Sequence, residues 1–298
     1  MKFQSQHILD SKQFDREGLL EVFKIAKEME EKGGRKLAEG KILATLFYEP
    51  STRTRFSFET AMLRLGGGVV SGSDMVANSS HKKGESLEDT GRVVSRMADM
   101  IAMRHPEAGS VEKLASGSRV PVINAGDGVH EHPTQALLDV YTIWKEFDGK
   151  LEGLKVGMVG DLKNGRVPHS QYNLLKHFGV SFVFVAPEGL QMPEEYVGER
   201  VENLAEVISE LDVIAMTRVQ KERFTSEAEA EKYAGAYVLD SELMGKVKKS
   251  AIVIHPLPRV DEIAVEVDDD GRARYFDQVE NGVAVRMALI CLVLGFDE

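Results

Sequence analysis

The stretch "YEPSTRTRFSFETAMLRLGGG", Tyr48 to Gly68, carries the densest chemistry in the chain: Ser51, Thr52, Arg53, Thr54 and Arg55 stand in sequence ahead of an apolar run. At the start of a helix such a turn offers free backbone N–H groups and the positive end of the helix dipole. Its hydroxyls add donors, and Arg53 can fork onto phosphate oxygens. The chemistry this suits is the holding of a phosphate. Taken alone, the turn also fits an ordinary capped helix whose arginines face water. The GxxxxGK[ST] pattern is absent, which excludes a Walker-type nucleotide loop and points to a smaller phosphorylated molecule.

Further polar clusters recur where strands are expected to end: Arg104-His105, His132-Pro133-Thr134-Gln135, Arg166, Thr217-Arg218-Val219-Gln220 and His255-Pro256-Leu257. In open parallel α/β sheets ligands bind outside the carboxyl ends of the strands, so this placement converges on one kind of site. His132 before a proline could be a plain turn residue, but among anion ligands it reads as part of the site. Neighbouring arginines would disfavour its imidazolium, and a neutral ring can still donate one N–H. Arg166 and Arg218 taken singly would be surface ion-pairing arginines; two at strand ends, with Gln220 beside the second, favour a site for an anion.

The elements that must position these groups alternate in βα fashion. A helix is expected over Phe14 to Glu31, with Leu19, Val22, Phe23 and Ala26 on one face and Gly33-Gly34 as its stop. "KILATLFYE" reads as a buried strand, and Ser51 as the N-cap of a helix whose stripe is Phe58, Ala61, Met62 and Leu65. "GGVVSGSD", "ADMIAMRHP" running into a loop, and "VPVINAGDG" read as strands, with helices at "ESLEDTGRVVSRM" and "TQALLDVYTIWKEF". After "EFDGKLEG", a boundary near residue 150, a second unit begins at "LKVGMVGD". It continues with a helix from His169 to Phe178, the strand "VSFVFVAP", a helical segment from Gly198 to Ser209, and the strands "DVIAMTRV" and "SAIVIHPLP". The helix "GVAVRMALICLVLGF" closes the chain. The fold class is α/β in two domains, each a mostly parallel sheet flanked by helices.

Composition narrows the function. At 298 residues the chain can bury two ordinary cores, and 43% hydrophobic with 29% charged residues is a globular balance. No apolar run approaches the roughly 18 residues of a membrane span, and the N-terminus lacks a secretory signal, so a cytoplasmic protein is expected. A net charge of -11 argues against a generic nucleic-acid binder, so the arginines of an anion pocket must be placed locally. Cys291, alone in an apolar run, can form neither an internal disulfide nor a zinc cluster. "VGMVGD" has no GxGxxG, and the next strand ends in Ala186-Pro187 where an acidic ribose ligand would stand, so a nicotinamide site is disfavoured. No cofactor and no metal are expected.

In order along the chain, "FYEPSTRTRFSFETAMLRLGG", "MRHP", "VINAGDG…HPTQALLD", "MVGDLKNGRVPHS", "MTRVQKER" and "HPLPRVDEI" resemble the motifs of the aspartate carbamoyltransferase catalytic chains. The resemblance spans nearly the whole chain. It implies transfer of the carbamoyl group of carbamoyl phosphate to L-aspartate, giving N-carbamoyl-L-aspartate and phosphate in pyrimidine synthesis. Ser51, Thr52, Arg53, Thr54 and Arg104 would hold the phosphate; Thr54, Arg104 and His132 would donate to the carbonyl oxygen. Gln135 and the carbonyls of Pro256 and Leu257 would accept from the carbamoyl NH2, and Arg166, Arg218 and Gln220 would hold aspartate. The similar ornithine enzymes have a cysteine in the motif matching "HPLP", where this chain has Pro256.

The resemblance further implies a homotrimer in which a loop, here "ANSSHKKGES" and shorter by one residue, completes the neighbouring subunit's site. Lys83 matches its lysine and would join Arg166, Arg218 and Gln220 in holding aspartate; counting back gives Ser79 as the loop's serine, with Ser80 the alternative. By composition alone that loop is a solvated connection. Residues 1–135 would bind carbamoyl phosphate and 136–285 aspartate, with 286–298 a C-terminal helix returning to the first domain. Any zinc-binding regulatory chain would be a separate polypeptide. The rival readings are a carbamoyltransferase for another amino acid and a catalytically silent scaffold; the intact polar set at the strand ends speaks against the scaffold.

Overall fold

The computed structural model describes residues 3–34, 36–75, 84–220, 224, 226, 231–233, 235 and 237–296. The chain divides into two compact units, Met1–Leu138 with Val279–Glu298, and Asp139–Gln278. From Val279 onward the last helix therefore lies with the first unit. Among the described residues, no helix is long and apolar enough to cross a membrane.

In the first unit, α1 (Arg16–Lys32) buries the expected face and stops at Gly33, whose φ of 70° suits a residue without a Cβ. β1 (Ile42–Phe47) leads into α2 (Thr52–Arg64), β2 is Gly68–Ser73, and α3 (Leu87–Val94) precedes β3 (Met100–His105). Phe58, Ala61, Met62 and Leu65 are fully buried, so the stripe read from the sequence is the packing face of α2. The sequence predicts a loop for the run from β3 to β4 (Val122–Asp127). That run contains α4 (Ser110–Gly117), with Val111, Leu114 and Ala115 buried. A helix there satisfies the crossover that two adjacent parallel strands require. It escapes sequence reading because it is short and starts at a left-handed glycine with no side-chain cap. Among the described residues the sheet order is β2-β1-β3-β4, all pairs parallel.

α5 (Pro133–Glu146) spans the division between units, as does the last helix (Asp277–Leu294). The second unit runs β5 (Lys155–Val159), α6 (Arg166–Leu175), β6 (Ser181–Val185), β7 (Glu199–Val201), α7 (Leu204–Val207), β8 (Val213–Met216), α8 (Ser241–Met244) and β9 (Ile252–Ile254). α6 starts three residues before the expected His169, with Pro168 in the first turn where no N–H is required, and its last turn tightens to 3-10 geometry. The expected helix at residues 198–209 is corrected. Glu199–Val201 pairs with β6 as a parallel edge strand, and Asn203 then caps a single helical turn by accepting from Ala205 N–H. The sheet order is β7-β6-β5-β8-β9, all parallel. Each sheet thus reverses its winding once, between β1 and β3 and between β5 and β8, and ligand crevices open at such points.

Candidate active site

In the first unit, β1 and β3 end level, Phe47 pairing with Arg104. Ser51 stands at the N-cap of α2 in an extended conformation, yet its hydroxyl makes no capping bond. The first-turn N–H groups are thus left to another acceptor. The two arginines of the turn separate. Arg55 lies along its own helix, Nε 3.7 Å from Glu59 Oε1, with its guanidinium 5.3 Å above the Phe56 ring. Arg53 is exposed and has no ion pair among the described residues, while Thr54 is buried. A cation in a helix's first turn opposes the macrodipole, so Arg53 adds nothing to the stability of α2 from that position.

Arg104 reaches from the end of β3. Its Nε lies 2.9 Å from Glu49 Oε2, and its Nη1 lies 3.4 Å from His132 Nε2. A guanidinium can only donate, so this contact is a hydrogen bond when the His132 proton is on Nδ1. The loop before His132 is fixed by Asp127, whose Oδ1 accepts from Asn124 at 2.9 Å and whose Oδ2 accepts from Gly109 N–H at 2.8 Å. Glu131 accepts from Ser11 at 2.9 Å. Pro133 then opens α5, with its ring at the position where a helix tolerates it, and places Gln135 in the first turn. His105, neighbour to Arg104, is taken up structurally by accepting from Glu107 N–H at 3.0 Å and packing on Tyr48.

Beneath these two helix starts lies a group the sequence did not single out. Arg286 is only 2% exposed and donates to Ser57 Oγ (3.0 Å), Thr134 Oγ1 (3.3 Å) and Gly282 O (3.1 Å), with Phe58 5.0 Å below its guanidinium. It ties the α2 and α5 turns to the last helix.

In the second unit β5 and β8 end level, Val159 opposite Met216. Gly160 has φ 120°, and a Cβ there would stand 2.0 Å from Thr217 O, so only glycine lets the strands meet. Asp161, fully buried, accepts from Asn164 N–H at 3.0 Å through Oδ1 and from Gln220 N–H at 3.2 Å through Oδ2. One carboxylate therefore holds the loops that carry Arg166 and Gln220, and no local pattern marks it beyond its place at a strand end. Arg166 is the first residue of α6 and is buried, again a cation at the positive end of a helix dipole. Arg218 is half-buried two residues past β8. Pro256 and Leu257 follow β9, Leu257 in a left-handed conformation with φ 48°.

The structure thus places Ser51, Thr52, Arg53, Thr54, Arg104, His132 and Gln135 in the first unit, and Arg166, Arg218, Gln220, Pro256 and Leu257 in the second. Ser79, Ser80 and Lys83 lie outside the described residues. Among the described residues no cluster of His, Cys, Asp and Glu could hold a metal ion. Cys291 is buried, which pushes its thiol up to about 12 and leaves it unreactive.

Two parallel α/β units, each with arginines at a helix start beside its winding reversal, define a protein that handles anionic small molecules. Residues 6–145 match the family model of the aspartate/ornithine carbamoyltransferase carbamoyl-P binding domain, and residues 152–293 match that of the Asp/Orn binding domain. The chain belongs to the aspartate/ornithine carbamoyltransferase family. It is 49% identical to the aspartate carbamoyltransferase catalytic subunit of Clostridium novyi over 99% of each chain, and 47% identical to that of Methanocella arvoryzae over the whole of both. Among solved structures, it is similar to the aspartate transcarbamoylase of Trypanosoma cruzi in complex with carbamoyl phosphate and aspartate (38% identity, TM-score 0.91, 98% of each chain). The catalytic subunit of the M. jannaschii enzyme is also similar (46%, 0.88, 96% of each).

Proposed function

We infer that this chain is an aspartate carbamoyltransferase: it transfers the carbamoyl group of carbamoyl phosphate to L-aspartate, giving N-carbamoyl-L-aspartate and phosphate, a step of pyrimidine synthesis. The observation that carries the reading is the arginine at each of two helix starts, Arg53 and Arg166, each after a strand at a winding reversal. One start suits a phosphate and the other a carboxylate.

In this reading Ser51, Thr52, Arg53, Thr54 and Arg104 hold the phosphate. Thr54, Arg104 and His132 donate to the carbonyl oxygen as the amine attacks and negative charge builds there; such a donor is worth about 3 kcal/mol in the transition state. Gln135 and the carbonyls of Pro256 and Leu257 accept from the carbamoyl NH2 and so fix the face presented. Arg166, Arg218 and Gln220 hold the two carboxylates of aspartate. The N–C bond forms, the C–O bond to phosphate breaks, and the departing phosphate takes the proton shed by the amine. The side chains therefore contribute mainly positioning and charge stabilisation.

The first unit is the carbamoyl phosphate domain and the second the aspartate domain, with the last helix, from Val279 onward, belonging to the first. Lys83 and Ser79 are assigned to a loop completing a neighbour's site in a homotrimer, and the protein to the cytoplasm; a zinc-binding regulatory chain, where one binds, is a separate polypeptide. The test is an assay of the purified protein with carbamoyl phosphate and a panel of amino acids, with the product identified by mass spectrometry. Carbamoylation of aspartate alone is the expected result. Carbamoylation of ornithine, or of nothing, would refute the reading.

A further inference from the structure

The turn after β9 is held by a buried clasp. His255 and Glu262 are 2% and 4% exposed, and His255 Nε2 lies 2.7 Å from Glu262 Oε1. Leu257 N–H donates to His255 Nδ1 at 2.8 Å, so that nitrogen carries no proton, and the ring is neutral with its N–H on Nε2 facing the carboxylate. The other oxygen of Glu262 accepts from Val260 N–H and Asp261 N–H, both at 3.1 Å. His255 N–H donates to Gln278 Oε1 at 2.8 Å, and Gln278 Nε2 donates in turn to Asp139 at 2.6 Å. The second oxygen of Asp139 accepts from Gln171 at 2.6 Å. Burial by itself raises the Glu262 carboxyl, but the His255 contact and the backbone N–H groups outweigh it and hold it below the usual carboxylate range.

Both ends of the 255–262 turn are thus closed on two buried side chains, and Leu257 sits inside it at φ 48°, a conformation a branched side chain adopts only when its surroundings impose it. We propose that His255 and Glu262 are positioning residues that hold the carbonyls of Pro256 and Leu257 in place to orient the carbamoyl NH2. The proposal rests on the carbamoyltransferase reading above. Neither side chain touches substrate; the pair acts through the backbone it clasps.

The prediction is selective, because inorganic phosphate has no NH2. The experiment measures the affinities of carbamoyl phosphate and inorganic phosphate by calorimetry in wild type, His255→Asn, His255→Gln and Glu262→Gln. Asparagine places an oxygen where Nδ1 stands and keeps the acceptor for Leu257 N–H, whereas glutamine reaches only toward Glu262. The ratio of the two affinities should fall about tenfold in His255→Gln and Glu262→Gln, the size of a lost neutral hydrogen bond, and clearly less in His255→Asn. A ratio within twofold of wild type in folded variants, or a parallel loss of both ligands, would overturn the proposal. So would a better ratio in His255→Gln than in His255→Asn. Should His255→Gln fail to fold, Glu262→Gln carries the test, since it keeps the shape of the side chain. A wild-type protein that shows the ratio but carbamoylates no amino acid would refute the functional reading and leave the clasp standing. One that binds carbamoyl phosphate no more tightly than inorganic phosphate would overturn both.

Discussion

Replacing Arg104 by alanine separates the cost to folding from the cost to binding. In the folded protein the Arg104 side chain is 13% exposed, and its partner Glu49 is 35% exposed at 2.9 Å. Water screens a carboxylate that open, so the lost ion pair costs no more than about 1 kcal/mol. The contact to His132 at 3.4 Å and that to Ala125 O at 3.5 Å are long and add little. The proposed phosphate contact is different in kind. A charge-assisted bond to a dianion contributes about 1.5–3 kcal/mol, roughly a tenfold to hundredfold change in affinity. Binding should therefore suffer more than stability. The assay is calorimetric titration with carbamoyl phosphate beside urea unfolding of the same preparation, with a probe in each unit because two units need not unfold together. An affinity within twofold of wild type would refute the placement of Arg104 on the phosphate. A stability loss larger than the binding loss would show that its partnership with Glu49 is its main role.

Arg53→Ala should lower kcat by about a hundredfold or more, since charge grows on the leaving phosphate as the C–O bond breaks, while the urea midpoint stays near wild type; steady-state kinetics at saturating substrates decides it. Arg218→Ala should raise KM for aspartate and leave carbamoyl phosphate affinity unchanged; equal loss of both would contradict the division of labour between the units. Arg286→Met removes three buried hydrogen bonds and the stacking on Phe58 and should cost about 2–4 kcal/mol of stability, read from urea unfolding. Glu262 is held below its ordinary value in the folded state, so its stabilising contribution is complete above the unfolded carboxylate pKa and is lost as pH falls through the lower folded value. Melting temperature against pH should accordingly show a shallower acid limb in Glu262→Gln than in wild type.

What short-range physics encodes is legible along the chain. The apolar stripe of α2, the buried strands and the glycine stop of α1 follow from periods of 3.6 and 2 and from the backbone freedom of one residue type, and all are present. The residues expected at strand ends stand after strands or at helix starts for the same reason. Where the expected elements differ from the structure, the signal was weak or long-range: Ser110–Gly117 is short and lacks a side-chain cap, and Glu199–Val201 is a strand only because β6 lies beside it. The tertiary structure alone decided the strand order, and with it the winding reversals that gather Arg104 with the α2 turn and Arg218 with Asp161 and Arg166. It also decided the roles of the buried polar groups. Asp161 accepts from a backbone group 59 residues away, and Arg286 donates to Ser57 across 229. A buried charge is tolerable only with its partners in place, and no local pattern names partners that far along the chain.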